Sequence, residues 1–203
     1  MRTYQFSYLA FIFLFNFSTL AQQGGDFETT PEVFSYSCDA TTSIFKIQGT
    51  SSLHDWEMIS QACKGTLGVF PMNDKLDISQ ITVEVQVNSL KSGKKVMDRK
   101  CYDALKSEKY PKIVFVLDEV RDLKKIEEAN YQAVFRGNLH IAGVKKPVDI
   151  SVEMTTKENN LHIQGSKSLK LTDFNVEPPK ALMGTLKTGN EIEIIFNLNF
   201  IQL

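Results

Sequence analysis

From Ile192 to Phe200 every second residue is large and apolar (Ile192, Ile194, Phe196, Leu198, Phe200), while Glu191, Glu193, Asn197 and Asn199 hold the other parity. A period of two marks a strand with one dry face and one wet face. The pattern recurs: Ile81, Val83, Val85 and Val87 alternate with Thr82, Glu84 and Gln86, and Tyr131, Ala133, Phe135, Leu139 and Ile141 alternate with Gln132, Arg136, Asn138 and His140. Further strands are predicted near 33–38, 43–50, 57–70, 112–119, 147–157 and 160–171, with Asn159-Asn160 as the turn before the last. Eight or nine one-faced strands must bury those faces together, as a sandwich or a barrel. Closure into a barrel also removes the exposed edges that long strands otherwise present.

One segment departs from this period. Met97, Cys101 and Leu105 are spaced by four, which predicts a helix over Val96 to Ser107. The helix should stop before Tyr110-Pro111, because the residue ahead of a proline disfavours helical geometry. No repeat, low-complexity tract or Pro/Gly/Ser linker divides the chain.

The N-terminus, MRTYQFSYLAFIFLFNFSTLA, carries one cation at Arg2, a Phe-rich apolar run and small residues before QQGG. It reads as a secretory signal peptide over 1–21, leaving 22–203 as a single domain. The uninterrupted apolar part, Leu9 to Phe15, is short of the ~20 residues that a bilayer span needs, so no stable membrane anchor is expected. The product is expected to be periplasmic or secreted. Removing 1–21 takes away Arg2 and leaves 22 basic groups against 24 acidic ones. Such a balance gives no electrostatic footprint for nucleic acid.

Export would carry Cys38, Cys63 and Cys101 into an oxidising compartment, where one bridge and one leftover thiol are possible. Cys38 with Cys63 is the preferred pair. None of the three has metal-ligand spacing with His54, His140 or His162, so no metal site is expected. Ser52, His54 and Asp55 are the residue types of a hydrolytic triad, but they sit in one short segment with no GxSxG turn, and no catalysis is expected. Adjacent His54 and Asp55 would point to opposite faces of an extended chain.

Two irregular segments remain: GTSSLHDW (Gly49 to Trp56), which holds the chain's single tryptophan, and LTDFNVEPPKALMGTLKTG (Leu171 to Gly189). Together with MDRKCYDALKSEKYPKIVF (Met97 to Phe115) and FRGNLHIAGVKKPV (Phe135 to Val148), and in this order, they resemble the YceI-like family. The resemblance covers the chain from about residue 32 to its end. It implies an all-β fold, an extended antiparallel lipocalin-like β-barrel of about eight strands with one short helix. It also implies a periplasmic protein whose apolar interior binds a long isoprenoid lipid, of quinone or polyprenol type.

On that reading Phe45, Ile47, Trp56, Phe115, Phe135, Leu139, Ile194 and Phe196 line the ligand and His54 contacts its head group. The lipid is then the one partner expected, with no cofactor beyond it and a homodimer left open. Burying a methylene contributes about 0.8 kcal/mol, while association costs ~4–15 kcal/mol before any affinity is seen. A short apolar ligand would therefore bind poorly and a long one well. The alternative reading is an envelope-stress or surface-interaction protein with an empty barrel.

Overall fold

The computed structural model describes residues 33–72, 75–181 and 186–203; the expected signal peptide lies outside them. The elements are β1 (Phe34–Cys38), β2 (Ile44–Ser51), β3 (Trp56–Ser60), β4 (Cys63–Met72), β5 (Lys75–Gln86), α1 (Lys95–Ala104), β6 (Lys112–Lys125), β7 (Asn130–Ile141), β8 (Val144–Lys157), β9 (Asn160–Lys170), β10 (Lys180–Ala181) and β11 (Leu186–Gln202). Eight of these strands pair in the cyclic order β1-β4-β5-β6-β7-β8-β9-β11, and β11 returns to β1 to close an antiparallel barrel. The all-β expectation, with one helix, is met.

Closure uses strands that are broken and resumed. β1 and β2 lie end to end along β11, with Cys38 opposite Phe200 and Ile44 opposite Asn197. Between them Asp39 folds the chain into a turn, its carboxylate accepting from Thr41 Oγ1 at 2.7 Å, Thr42 Oγ1 at 2.7 Å and Thr41 N at 2.9 Å. Those bonds stabilise the ionised form and hold the Asp39 carboxyl below its ordinary range. β3 and β4 follow the same break, β3 pairing with β2 and β4 with β1. The strand expected over 57–70 is thus two strands, interrupted at Gln61-Ala62, where Ser60 Oγ accepts from Ala62 N at 3.1 Å.

The sequence alternation maps onto the two faces of the wall. On β7 Tyr131, Ala133, Phe135, Leu139 and Ile141 are buried, and on β8 so are Val148, Ile150, Val152 and Met154. Phe200 has no exposed surface. Two inward glycines make room for rings from neighbouring strands. A Cβ at Gly137 would lie 2.6 Å from Phe115 Cζ, and one at Gly165 would lie 2.8 Å from Phe196 Cζ. Every buried side-chain polar atom among the described residues has a hydrogen-bond partner, as a stable interior requires.

Hairpin turns fix the registers. Ala142 and Gly143 both have positive φ between the paired residues Ile141 and Val144, which matches the twist that a two-residue hairpin needs. The next turn is Glu158-Asn159, between paired Lys157 and Asn160, so the expected Asn159-Asn160 turn is displaced by one residue. The β8–β9 ladder ends at Val152 opposite Gly165. Beyond it the first half of β8 keeps β7 as its neighbour while β9 keeps β11. Pro147 sits in this stretch, where the missing N–H of a proline is tolerated on a strand with an unpaired side. Lys167 crosses the gap, its Nζ donating to the Asp149 carbonyl at 2.8 Å.

The helix occupies the place where the wall is incomplete. β5 ends at Gln86, so β3 meets the following segment through a single bridge, Ile59 with Lys91. α1 then packs Met97 and Cys101 towards the core, and Leu105 at its C-terminal end is buried. Asp98 Oδ1 accepts from Ser92 N at 2.8 Å and from Ser92 Oγ at 2.6 Å, tying the helix to the chain that precedes it. Tyr102 OH donates to the Leu90 carbonyl at 2.7 Å and receives Lys91 Nζ at 2.7 Å. Lys106 takes a positive φ just past the helix, before Tyr110-Pro111 as expected. No described helix is long and apolar enough to cross a membrane.

Candidate functional site

Beneath α1, at one end of the barrel, lies an apolar chamber of about 340 Å³. Its walls are Ile47 of β2, Met58 of β3, Met97, Cys101 and Ala104 of α1, Ile113 of β6, Ile141 of β7, Ile192 and Ile194 of β11, and Leu171, Phe174 and Val176 of the segment after β9. Period-two strands turn every second residue inward, so at any one height the walls are assembled from distant parts of the chain. The 3-10 turn Leu171–Phe174 buries Phe174, and Val176 follows it inward. The volume falls in the range of small-molecule pockets, and its apolar walls suit a hydrocarbon.

The rim is rich in lysine. Lys94, Lys100, Lys170, Lys180 and Lys187 line the chamber together with His54, and among the described residues no carboxylate lines it. Lys100 Nζ donates to the Lys180 carbonyl at 2.8 Å, and Lys180 pairs with Glu177, whose carboxyl is thereby held below its ordinary range. Trp56 stands at the rim with its indole laid over Gly49, and its Nε1 donates to the Thr50 carbonyl at 2.9 Å. This is the usual placing of an indole at a boundary, with its body dry and its N–H satisfied. His54 is exposed, and its Nδ1 lies 2.6 Å from the Asp55 carbonyl.

Deeper in the barrel a void of about 60 Å³ is walled by Phe45, Phe115, Phe135, Leu139, Phe196 and their neighbours, with Lys167 at its margin. Ile194 borders both this void and the chamber. The eight residues expected to face a ligand therefore divide. Ile47, Trp56 and Ile194 reach the chamber, while Phe45, Phe115, Phe135, Leu139 and Phe196 surround the smaller void below it.

The profile of the YceI-like domain matches residues 36–200. The chain belongs to the YceI-like family. Among solved structures it is similar to Burkholderia cenocepacia BcnA, with a TM-score of 0.64 and 17% identity over 80% of this chain and 98% of that one. It is also similar to a polyisoprenoid binding domain from Saccharophagus degradans implicated in plant cell wall breakdown, with a TM-score of 0.67 and 16% identity over 84% and 99% of the two chains. A mutant Campylobacter jejuni YceI protein with a monobromobimane guest matches with a TM-score of 0.54 and 16% identity over 70% and 81%. At these identities the likeness is one of fold. No curated protein matches the chain.

Against the YceI-like frame, several chamber residues were not legible as such in the sequence. Met58, Met97, Cys101, Ala104, Leu171, Val176 and the five lysines come from elements whose packing together only the fold reveals. Lys167 was missed too: it shares a parity with buried Leu161 and Ile163, so its stem lies on the inner face of the wall while its ammonium reaches the gap. Among the described residues no three His, Cys, Asp or Glu side chains are grouped to hold a metal ion. Ser52, His54 and Asp55 form no relay: Ser52 Oγ accepts from Lys187 N at 3.1 Å, and the His54 ring is turned to a backbone carbonyl. Cys38 and Cys63, expected to form a bridge, stand as free thiols, as does Cys101. Burial among the chamber walls pushes the Cys101 thiol up to about 12.

Proposed function

We propose that this protein is an exported, periplasmic or secreted carrier of a long isoprenoid lipid of quinone or polyprenol type, with its head at the lysine-lined rim and its tail in the barrel. The observation that carries this reading is the apolar chamber of about 340 Å³, which is lined by five lysines and shares Ile194 with the separate, phenylalanine-lined void of about 60 Å³. The polyisoprenoid binding domain from Saccharophagus degradans, similar in fold, supports the choice of an isoprenoid. Ammonium groups at the rim suit the oxygen acceptors of such a head, and His54 adds a ring nitrogen to the same rim. A tail that fills the chamber goes on past Ile194 by moving the rings of Phe45, Phe115, Phe135 and Phe196, which are the proposed lining at depth.

A chain of ~20 buried carbons gains on the order of 16 kcal/mol from burial at about 0.8 kcal/mol per methylene, which meets the cost of association. A ligand confined to the head region does not. The protein needs no catalytic group for this task. Titration with a polyprenol or a long-chain quinone analogue, followed through Trp56 emission, tests it: saturable change for the long-chain compound and none for its short-chain homologue supports the carrier. Equal response to both contradicts the requirement for a long tail, and none to either leaves the empty-barrel reading in its place.

A further inference from the structure

β1 ends at Cys38 and β4 begins at Cys63, at the two breaks that let the barrel close. In the β1–β4 ladder Ser37 is opposite Thr66, so Cys38 comes next to Gly65. Cys63 is two residues from Gly65 and shares its face of the strand. Gly65 puts no side chain between the two cysteines; a Cβ there would be 3.3 Å from Cys38 Cβ. Ser43 Oγ lies 3.3 Å from Cys38 Sγ, and Cys63 Sγ lies 3.8 Å from the Lys64 carbonyl.

The two sulfurs are unequal. Cys63 has no exposed surface, whereas Cys38 is partly exposed. The neighbouring Cys63 thiol brings the Cys38 thiol down to about 7 against the opposing effect of its burial, and the nearness of Cys38, with burial, pushes Cys63 up. An acidic thiol on a partly exposed residue, beside a buried thiol that stays protonated, is the arrangement for ordered thiol–disulfide exchange.

We infer that Cys38 and Cys63 are a redox-active pair that closes to a disulfide by exchange with a disulfide-carrying oxidant, Cys38 attacking and Cys63 resolving. The Cys38 thiolate attacks one sulfur of the oxidant, whose S–S bond breaks; the sulfur that leaves takes up a proton, and a mixed disulfide remains on Cys38. Cys63 then attacks the Cys38 sulfur, expels the second oxidant sulfur and passes its proton to it. Two protein thiols are oxidised and one external disulfide is reduced to two thiols. The new bond staples the five-residue β1 to β4 and encloses β2 and β3, the strands that carry Gly49 and Trp56 at the rim. The inference is independent of what the chamber holds.

The test is equilibration of the full chain in glutathione buffers from reducing to oxidising, followed by alkylation under denaturing conditions and peptide mass spectrometry. Cys38 and Cys63 leave the alkylated pool together and appear as one linked peptide, while Cys101 stays alkylated throughout. The bridge raises the thermal midpoint by about 10 °C. Cys63→Ser halts the exchange at its first step and leaves glutathione on Cys38; Cys38→Ser leaves Cys63 without an adduct. Both cysteines still alkylated in the most oxidising buffer, a link to Cys101, or folded Cys63→Ser protein without an adduct would overturn the proposal.

Discussion

The indole of Trp56 rests on Gly49, with only 2.6 Å between Trp56 Cζ2 and the point where a Gly49 Cβ would stand. Gly49 and Trp56 are partners in the β2–β3 ladder, so the absent side chain on one strand is the seat of the ring on the other. Gly49→Ala therefore drives the ring outward, at a cost of about 1–3 kcal/mol for overpacking. Trp56 is the chain's single tryptophan, so its emission reports the move directly. A red shift with a lowered thermal midpoint is expected; unchanged emission would contradict this seating.

Filling the chamber should remove its capacity without opening the core. Ala104 faces it from α1, and Ala104→Phe places a ring in the free volume. Uptake of a long-chain polyprenol should be lost, while the thermal midpoint falls by no more than about 5 °C. Titration of the variant beside the natural protein, with calorimetry on both, checks the two halves of this expectation.

Phe135 acts lower down, where it is 4% exposed and borders the void of about 60 Å³. Phe135→Ala costs about 3–5 kcal/mol, as for other buried rings. It also lengthens the dry space below Ile194, and a protein that still folds should shift its preference towards longer tails. Competition between polyprenols of two lengths reads that shift.

Acid should loosen the helix. Burial opposes ionisation of Asp98, but the Ser92 hydroxyl and N–H outweigh it and hold the carboxyl below its ordinary range. A group with a depressed folded pKa contributes stability that is present above its unfolded pKa and is lost as pH falls through the folded one. Asp98→Ala should cost on the order of 1–2 kcal/mol at neutral pH, with a difference from the natural protein that shrinks as the carboxyl protonates. Urea titrations at neutral and acid pH measure both terms.

The barrel was legible because alternation is local: Ile192 to Phe200 states its own two faces, and so do the inward residues of β7. The helix was legible from Met97, Cys101 and Leu105 for the same reason. The break at Gln61-Ala62 was not, since apolar residues continue on both sides and only the paired break at Asp39–Ser43 requires it. The chamber was half legible. Ile47, Trp56 and Ile194 reach it while Phe45, Phe115 and Phe196 surround the void below, because which height of the barrel stays open depends on α1 and on Phe174 and Val176 packing at one end. Lys167 follows Gly165 and Ser166, where no apolar alternation announces an inner face.

Native mass spectrometry of the full chain, recovered from its own host without organic solvent, tests the carrier reading most directly. The account expects one lipid per chain, with a mass that fits an isoprenoid series and is lost in the Ala104→Phe variant. A folded protein that carries no lipid, and takes up none when long-chain quinone or polyprenol is supplied in excess, would contradict it.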